Sequence, residues 1–510
     1  MKKFFPILIA VLGIAIGVMS TLALQHYIEE RHIKTAEYRD WRKLNLILSS
    51  VEENYVDSVD RDKVTEAAVT AALASLDPHS IYMPPVELEE SESDLMGKFD
   101  GIGIQFNVPN DTAIVLEAIP GGPSEKAGLL PGDRIIKVDD KVIAGVRFPQ
   151  DSMVRRMKGP AGTKVLITVR RDSELISFNI TRGKIPTHSV DASFMVDGRT
   201  GYIRLSKFSR TTHSEVTSAA VTLAAQGMER LIFDVRGNTG GFLDQALAVS
   251  NLFLPKDSLI VYMEGAHRKR EEFRADGRGI FQNIALDVLI DENTASSSEI
   301  FAGAIQDNKR GRIFGRRSFG KGLVQEPLYL SDGSGVRITV ARFHTPSGRC
   351  IQKPYSDSYD YEVYERYGTG EMVAADSMKL ESGGILPDIF VPVDTTRASS
   401  FYLACSKKAT AMRFASAYFD SHKNELQGIS DYASLLRYLD SSGIPERFVS
   451  FAASKDGLRP LPGQWPDDFI LTQVRALVGR YSKLGDDAFY HIYLTVDDTF
   501  NKALASAIEQ

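Results

Sequence analysis

An apolar run that leads directly into three consecutive serines is the feature that most limits how this 510-residue chain can fold. The run, residues 284–290, has the length and composition of a buried strand. After the serines, apolar residues recur at helical spacing, at Ile300, Phe301, Ala304 and Ile305. The sequence therefore predicts that the serines lie where a buried strand ends and a helix begins.

Hydroxyl groups at such a junction have either a chemical or a structural use. Unpaired backbone N–H groups at a helix start favour negative charge, so a serine there can act as a nucleophile beside oxyanion donors. Downstream, Lys321 lies between two glycines and among small and apolar residues. A lysine, whose unperturbed pKa is about 10.4, acts as a base near neutral pH only if burial lowers that pKa by roughly 3 pH units. The residues alone also allow a serine helix cap and a lysine in a surface turn.

The two segments, T-A-S-S-S-E-I-F-A-G-A-I-Q-D and F-G-K-G-L-V-Q, resemble the active-site signature of the carboxyl-terminal processing proteases, also called tail-specific proteases. The resemblance implies that Ser296 is the nucleophile, that Lys321 is the general base and that Gln325 orients the lysine. Asp307 matches an acidic position that matters in some members. The family usually has alanine where this chain has Ser297, a small change beside the nucleophile.

A second family landmark follows a buried strand predicted to begin at Leu231. The order strand, Gly-rich turn, helix also describes phosphate loops, but this turn lacks G-K-[ST] and a dinucleotide-binding spacing. It resembles instead the family's D-L-R-x-N-x-G-G segment. The resemblance implies an oxyanion hole made by a backbone N–H of Gly240 or Gly241 together with the amide of Ser297. We interpret Asp234 before the turn as half of a structural ion pair with Arg236.

Residues 86–182 resemble a PDZ domain. The segment F-D-G-I-G-I-Q-F resembles its carboxylate-binding loop, and its glycines permit a turn whose N–H groups converge on an anion. The later P-S-E-K-A-G-L-L-P-G-D-R-I matches the helix, turn and strand that recur in such domains. The implied ligand is a free protein C-terminus with an apolar last side chain, added to an open strand edge. The residues implied to bind it are Gly101, Ile102, Gly103 and Ile104.

The first 24 residues predict a targeting segment. Two lysines precede an uncharged apolar run at residues 4–24, which is long enough to span a bilayer. We favour an uncleaved anchor with the lysines inside, although a cleaved signal peptide stays open because Thr21-Leu22-Ala23 is a weak cleavage site. The chain is then exported, to the cell envelope or the periplasmic side of a bacterial inner membrane.

The composition argues against two other classes of function, nucleic-acid binding and zinc binding. A net charge of −6 argues against a nucleic-acid binder, and the two cysteines, Cys350 and Cys405, give no zinc-site spacing. We interpret His79, in the turn L-D-P-H-S, as a turn residue, and residues 354–375 as an exposed insertion. Residues 396–510 have helical periodicity and either pack on the core, form a homo-oligomer or dock an adaptor.

The sequence thus predicts a multi-domain α/β protein, a serine endopeptidase that needs no metal or cofactor. Its PDZ domain captures apolar C-termini of protein substrates, and a Ser296–Lys321 dyad cleaves them through an acyl-enzyme. The alternative is an inactive PDZ scaffold, or a ligand-binding protein of the same fold. The predicted parts are a targeting segment (1–24), an N-terminal helical region (25–85), the PDZ domain (86–182), the protease core (183–395) and a helical C-terminal extension (396–510).

Overall fold

A computed structural model describes residues 42–108, 111–356, 359, 361–374, 383–394, 399–461 and 468–506. The chain divides into two compact units, Met1–Leu76 and Asp77–Gln510. In the first unit, residues 42–54 are helical and a second helix, Arg61–Ala74, begins where the Asp60 carboxylate accepts from the N–H of Lys63. The predicted anchor lies outside the described residues. Within them, no helix is both long and apolar enough to cross a bilayer.

The second unit begins with strand β1 (Ile81–Met83) and helix Pro85–Leu95, and then enters the PDZ-like region. A 6-stranded antiparallel sheet forms this region, with β3 at one edge and β6 paired to β5. A short pair of strands, β2 with β9, brings the entrance and exit of the region together. The strands are β2 (Lys98–Gly101), β3 (Ile104–Asn107), β4 (Ala113–Ala118), β5 (Arg134–Val138), β6 (Lys141–Val142), β7 (Lys164–Arg171), β8 (Glu174–Thr181) and β9 (Gly183–Pro186), with helices Pro123–Ala127 and Gln150–Met157.

A second 6-stranded sheet, in the order β10-β11-β12-β15-β16-β19, forms the centre of the α/β core. Its strands are parallel except β10, and one face packs on three helices, Thr212–Ala225, Leu243–Asn251 and Ser297–Asp307. A separate sheet joins β1 to β13, β14, β17 and β18. The strands are β10 (Val190–Met195), β11 (Thr200–Leu205), β12 (Arg230–Asp234), β13 (Leu259–Gly265), β14 (Arg268–Arg274), β15 (Ala285–Ile290), β16 (Arg312–Gly315), β17 (Leu323–Tyr329), β18 (Gly335–His344) and β19 (Ile389–Phe390).

The C-terminal extension is helical, as predicted, and contains a hydrophobic core of its own. It also contacts the PDZ-like region, where Arg134 pairs with Asp420 at 2.6 Å and Lys423 binds the carbonyl of Pro131. Its helical segments are Ser400–Lys407, Thr410–Gly428, Tyr432–Ser441, Ile444–Phe451, Ala452–Asp456, Asp468–Gly479, Gly485–Tyr493, Leu494–Val496 and Asp498–Ala505, and a further helix, Glu362–Gly368, precedes them.

The last helix of the extension covers the second face of the central sheet. Phe500 and Ala503 pack against Tyr202, Ile232 and Leu289 of three neighbouring strands. The sequence pattern predicts an alternating strand at residues 200–209. The observed strand, β11, ends at Leu205 and is buried along nearly its whole length, because helices of the extension cover one of its faces.

Two arginines fix this last helix to strand β12 at both ends. Arg230, where the strand begins, donates to the carbonyls of Ala503 and Leu504 at 2.5 and 3.2 Å. Arg236, just beyond the strand's end, forms two bonds of 2.8 and 2.9 Å with Asp497, whose carboxylate also caps the helix at the N–H of Phe500. The extension is therefore an integral layer of the core.

We expect Asp497→Asn to lower the free energy of unfolding by about 2 kcal/mol, the scale of a lost charge-assisted hydrogen bond in a largely buried site. Asparagine still caps a helix, so the change isolates the pair with Arg236. The matched control is Asp431→Asn, a cap whose carboxylate accepts from the N–H of Ser434 at an exposed position. Denaturant unfolding measures both variants, and equal midpoints would contradict the assignment.

Candidate active site

The junction between β15 and the next helix has the predicted form. Ser296 caps the helix Ser297–Asp307 with a φ of 56° and a ψ of −118°. A positive φ is unfavourable for a residue with a side chain and persists only where its surroundings enforce it. Here the preceding residue, Ala295, donates its N–H to the carbonyl of Asn238 at 2.9 Å. The prediction of a buried strand followed by a helix is confirmed.

A buried carboxylate beneath this junction connects Ser296 to Lys321. Glu299 is fully buried, and its Oε2 accepts from the backbone N–H of Ser296 and of Lys321, each at 2.8 Å. Its Oε1 accepts from the N–H of Gly320 at 2.7 Å and the hydroxyl of Ser318 at 2.5 Å. Burial raises the pKa of Glu299, and these four hydrogen bonds oppose the rise. The segments that carry the two residues therefore have one common anchor.

The surroundings of Lys321 favour its neutral form. Burial lowers the pKa of its ammonium group, and the positive charge of Arg337 lowers that pKa further. The negative charges of Glu299 and Asp77 act in the opposite direction but do not cancel the effect. The direction of this shift is the one that a lysine acting as a base requires.

Gly322, which follows Lys321, lies where a neighbouring backbone segment leaves no space for a side chain. A Cβ at Gly322 would lie 2.7 Å from the backbone nitrogen of Gln352, because the chain there runs directly against the loop. The N–H of Gly322 donates to Gln352 Oε1 at 2.9 Å. The loop is thus packed against backbone, which leaves no room for a side chain.

Gln325 contacts the turn L-D-P-H-S. Its amide Nε2 donates to the carbonyl of His79 at 2.5 Å, while the His79 ring nitrogen Nε2 lies 2.6 Å from the hydroxyl of Tyr359. Asp77 Oδ1 accepts from the N–H groups of His79 and Ser80 at 2.7 and 2.8 Å. These contacts agree with His79 as a turn residue. The charge of Asp77 also acts on Lys321, whose pKa it raises.

The two glycines of the predicted oxyanion turn differ in what their amides do. The N–H of Gly240 donates to Asn238 Oδ1 at 2.9 Å, and a Cβ at Gly240 would meet Ser296 Cβ at 2.7 Å. Gly241 accepts through its carbonyl from the Ser297 hydroxyl at 2.8 Å. Across the described part of the chain, the N–H groups of Gly241 and Ser297 donate to no acceptor. These two amides are the ones available to an oxyanion.

Asn238 fixes the turn against the helix that Ser296 caps. Its side chain is buried and donates to the carbonyl of Leu205 at 3.1 Å, while its own carbonyl accepts from the Ser298 hydroxyl at 3.0 Å. Just before the turn, Asp234 is fully buried and bonds Arg236. The predicted pairing of Asp234 with Arg236 is confirmed at 2.6 Å, and its structural role stays an interpretation.

Asp307 lies at the opposite end of the helix from Ser296. Eleven helical residues span about 16 Å at 1.5 Å each. Its carboxylate pairs with Arg349 at 2.5 Å and accepts from the N–H of Ser347 at 2.9 Å. Burial would raise the pKa of Asp307, but hydrogen bonds from Thr345 and Ser347 and the charge of Arg349 leave it below its ordinary value. These contacts connect Asp307 to the turn at residues 345–349.

The predicted carboxylate-binding loop connects β2 to β3. Ile102 is buried, and its carbonyl accepts from the N–H and the hydroxyl of Ser124 at 3.0 and 2.6 Å. Gly103 has a φ of 72°, which turns the chain into β3 at Ile104. Because β3 is an edge strand, its outer side offers main-chain groups to an added peptide.

The prediction of an exposed insertion at residues 354–375 holds for most of the described positions but is wrong at four of them. Tyr359, Arg366, Glu371 and Met372 are buried within it. Arg366 pairs with Glu362, and Glu371 pairs with Arg317, beside the loop that carries Lys321. These ion pairs offset the free-energy cost of burying the charges. The tyrosines that remain exposed are Tyr355, Tyr361, Tyr364 and Tyr367.

Comparison with known proteins agrees with this geometry. The profile of "Peptidase family S41" matches residues 199–363, and that of "PDZ domain" matches residues 101–181. The "Carboxy-terminal processing protease CtpA" of Bacillus subtilis is 33% identical, over 69% of this chain and 75% of its own. This chain belongs to the carboxy-terminal processing proteases. It is a serine-type peptidase with a PDZ domain.

Two further similarities accompany this one. The "Carboxy-terminal-processing protease" of Bartonella bacilliformis is 34% identical, over 62% of this chain and 73% of its own length. Among solved structures, the "Photosystem II D1 C-terminal processing protease" is 27% identical, with a TM-score of 0.38, over 68% of this chain and 91% of that one. The family profile ends at residue 363, so the C-terminal extension of this protease lies outside it.

We expect Glu299→Gln to slow the reaction of this protease with a fluorophosphonate by at least about tenfold, because a misplacement near 1 Å can cost 100-fold in rate. Glutamine has one acceptor oxygen where four donors converge, and its NH₂ group faces backbone N–H groups that need an acceptor. Stability should fall by about 3 kcal/mol. Labelling of the folded fraction and thermal unfolding measure the two effects. Labelling at the parent rate would contradict the anchoring role.

Proposed function

We propose that this protease cleaves peptide bonds with Ser296 as nucleophile and Lys321 as general base. The observation that carries the proposal is the common anchor of both segments on Glu299 Oε2, beside a lysine whose pKa is lowered. Gln325 supports the base by holding the His79 turn next to it. Asp307, at the far end of the helix, acts by fixing the turn at residues 345–349.

In the first half of the reaction, Ser296 Oγ attacks the carbonyl carbon of the scissile bond and its proton passes to Lys321 Nζ. The negative charge that develops on the carbonyl oxygen is stabilised by the free amides of Gly241 and Ser297, while Gly240 lets the turn approach Ser296. The C–N bond then breaks, and the leaving amine takes the proton from Lys321. In the second half, Lys321 accepts a proton from the water that attacks the ester carbonyl. The bond between the carbonyl carbon and Ser296 Oγ then breaks, Lys321 returns the proton to Ser296 Oγ, and the carboxylic acid is released.

The PDZ domain gives the enzyme its preference for protein tails. We propose that a free carboxylate binds at Gly101–Ile104 and that the chain preceding it adds to the edge of β3. The substrates are then proteins with an apolar C-terminus. Residues 4–24 anchor the enzyme on the outer side of a bacterial inner membrane, and an oligomer or adaptor contact of the extension stays a prediction.

Cleavage of a loosely folded protein with an apolar C-terminus tests the dyad. The full chain should cleave it, while Ser296→Ala and Lys321→Ala should each lower kcat by at least about 10³-fold, as for nucleophile and base in other serine hydrolases. The same substrate with a charged last residue controls for tail recognition. Tail binding without cleavage by the parent chain would favour the scaffold alternative. Normal cleavage by Ser296→Ala would refute the proposed nucleophile.

The pH dependence of kcat/KM tests Lys321 through its two charged neighbours. Only neutral lysine accepts a proton, so kcat/KM should rise as pH increases through the pKa of Lys321. Arg337→Gln removes a charge that lowers this pKa, and it should move the rise to higher pH. Asp77→Asn removes a charge that raises it, and it should move the rise to lower pH while asparagine keeps an acceptor for the turn. Shifts in the same direction would contradict a lysine base.

A further inference from the structure

The loop that carries Lys321 is held along its carbonyl side by one buried guanidinium group. Arg366 is 2% exposed and donates to three consecutive backbone carbonyls, those of Arg317, Ser318 and Phe319, at 3.2, 2.9 and 3.2 Å. The last of these carbonyls is two residues before Lys321. A guanidinium presents several donors in a fixed plane, so it can hold adjacent acceptors in a defined arrangement.

Two carboxylates hold this guanidinium and its neighbour in place. Glu362 Oε1 accepts from Arg366 Nε at 2.8 Å. Glu371 accepts from Arg317 at 2.5 and 2.9 Å, and Glu362 Oε2 accepts from the ammonium of Lys353 at 3.2 Å. Three cations are thus paired with two carboxylates beneath the loop, and removal of one member would leave buried charge unpaired.

A neutral lysine has a particular need for such support. A charged lysine side chain can be held in place by an ion pair. A lysine that must be neutral to act as a base forms no ion pair, so the position of its amine depends on the backbone that carries it. The N–H groups of Gly320 and Lys321 bind Glu299, and the carbonyl of Gly320 accepts from the N–H of Lys353 at 2.9 Å. The contacts of Arg366 complete this arrangement on the carbonyl side of the preceding residues.

We propose that Arg366 is a positioning residue for the general base and that Glu362 and Glu371 keep it aligned. The inference rests on the proposed role of Lys321. It assigns a catalytic purpose to the segment around helix Glu362–Gly368, most of which lies beyond the end of the family profile at residue 363. The proposal also explains why charges are buried in a segment whose sequence reads as a solvent-exposed insertion.

The test compares Arg366→Lys with Arg413→Lys in the full chain. Arg413 also pairs with a carboxylate, that of Asp456, and donates to the carbonyl of Lys408, but it lies in the C-terminal extension. Each variant is measured for fluorophosphonate labelling of Ser296, for kcat and KM on a peptide substrate, and for its melting temperature. Lys321→Ala shows separately whether labelling depends on a lysine base.

Arg366→Lys should lower the labelling rate and kcat by about 10- to 100-fold, the scale expected from a small misplacement of a catalytic group. Its KM should change by no more than about twofold, because Arg366 is proposed to position Lys321 and the substitution leaves the contacts that bind the substrate unchanged. Arg413→Lys should lower only the melting temperature. Should Arg366→Lys fail to fold, Glu362→Gln decides, because it removes the carboxylate that accepts from Arg366 Nε and so loosens the guanidinium that holds the three carbonyls.

Parental labelling and kcat in a folded Arg366→Lys or, where that variant is unfolded, in Glu362→Gln would overturn the proposal. Equal labelling of Lys321→Ala and the parent would instead refute the lysine base itself, which is a different failure. A loss of kcat that follows the melting temperature in both arginine variants would show that the buried charges act on stability alone.

Discussion

One buried carboxylate organises the catalytic centre of this protease. Glu299 receives hydrogen bonds from the backbones of Ser296, Gly320 and Lys321, and so joins a helix start to a loop more than twenty residues further along the chain. A fully buried carboxylate is costly unless donors surround it. The need to satisfy Glu299 with donors therefore holds both segments at one position, and the separation of Ser296 and Lys321, the proposed nucleophile and base, follows from that position.

The same principle extends outward from the centre. Arg366 binds three carbonyls of the loop that carries Lys321. Asn238 joins the predicted oxyanion turn to the helix that Ser296 caps. Behind that turn, Arg236 connects to Asp497 of the extension. Each functional segment is a loop, and loops are the least constrained parts of a fold. Buried polar side chains from distant parts of the chain compensate for this by bonding the backbone directly.

Much of the fold could be predicted because local patterns coincide with it. The buried strand before Ser296, the helix after it and the helices of the extension all follow from the periodicity of hydrophobic residues. The PDZ domain follows from the resemblance of two segments to those of known PDZ domains. Burial could not be predicted where it depends on a distant partner. Strand β11 is buried because the last helix covers one of its faces, and within residues 354–375 Arg366 and Glu371 are buried because they pair with distant groups.

The site divides in the same way. The family resemblance pointed to Ser296 and Lys321. Glu299 stands three residues after Ser296, which is the spacing of a capping box, so its contact with the start of the helix could also have been predicted from the sequence. The roles of Asp77, Asn238 and Arg366 could not be read from a sequence, because each acts through backbone groups far away in the chain. Because nearly every residue type carries the same backbone N–H and carbonyl groups, the sequence does not show which of them a distant side chain will bind.

By itself, then, the sequence indicated the kind of protein, because the short motifs around Ser296, Lys321, the glycine turn and the PDZ loop resemble those of one protease family. Tertiary structure alone decided how these motifs meet. It selected the amides of Gly241 and Ser297 as free donors by engaging that of Gly240. It also lowered the pKa of Lys321 through burial and through the charge of Arg337. Burial and long-range electrostatics depend on neighbours in space, and those exist only once the chain has folded.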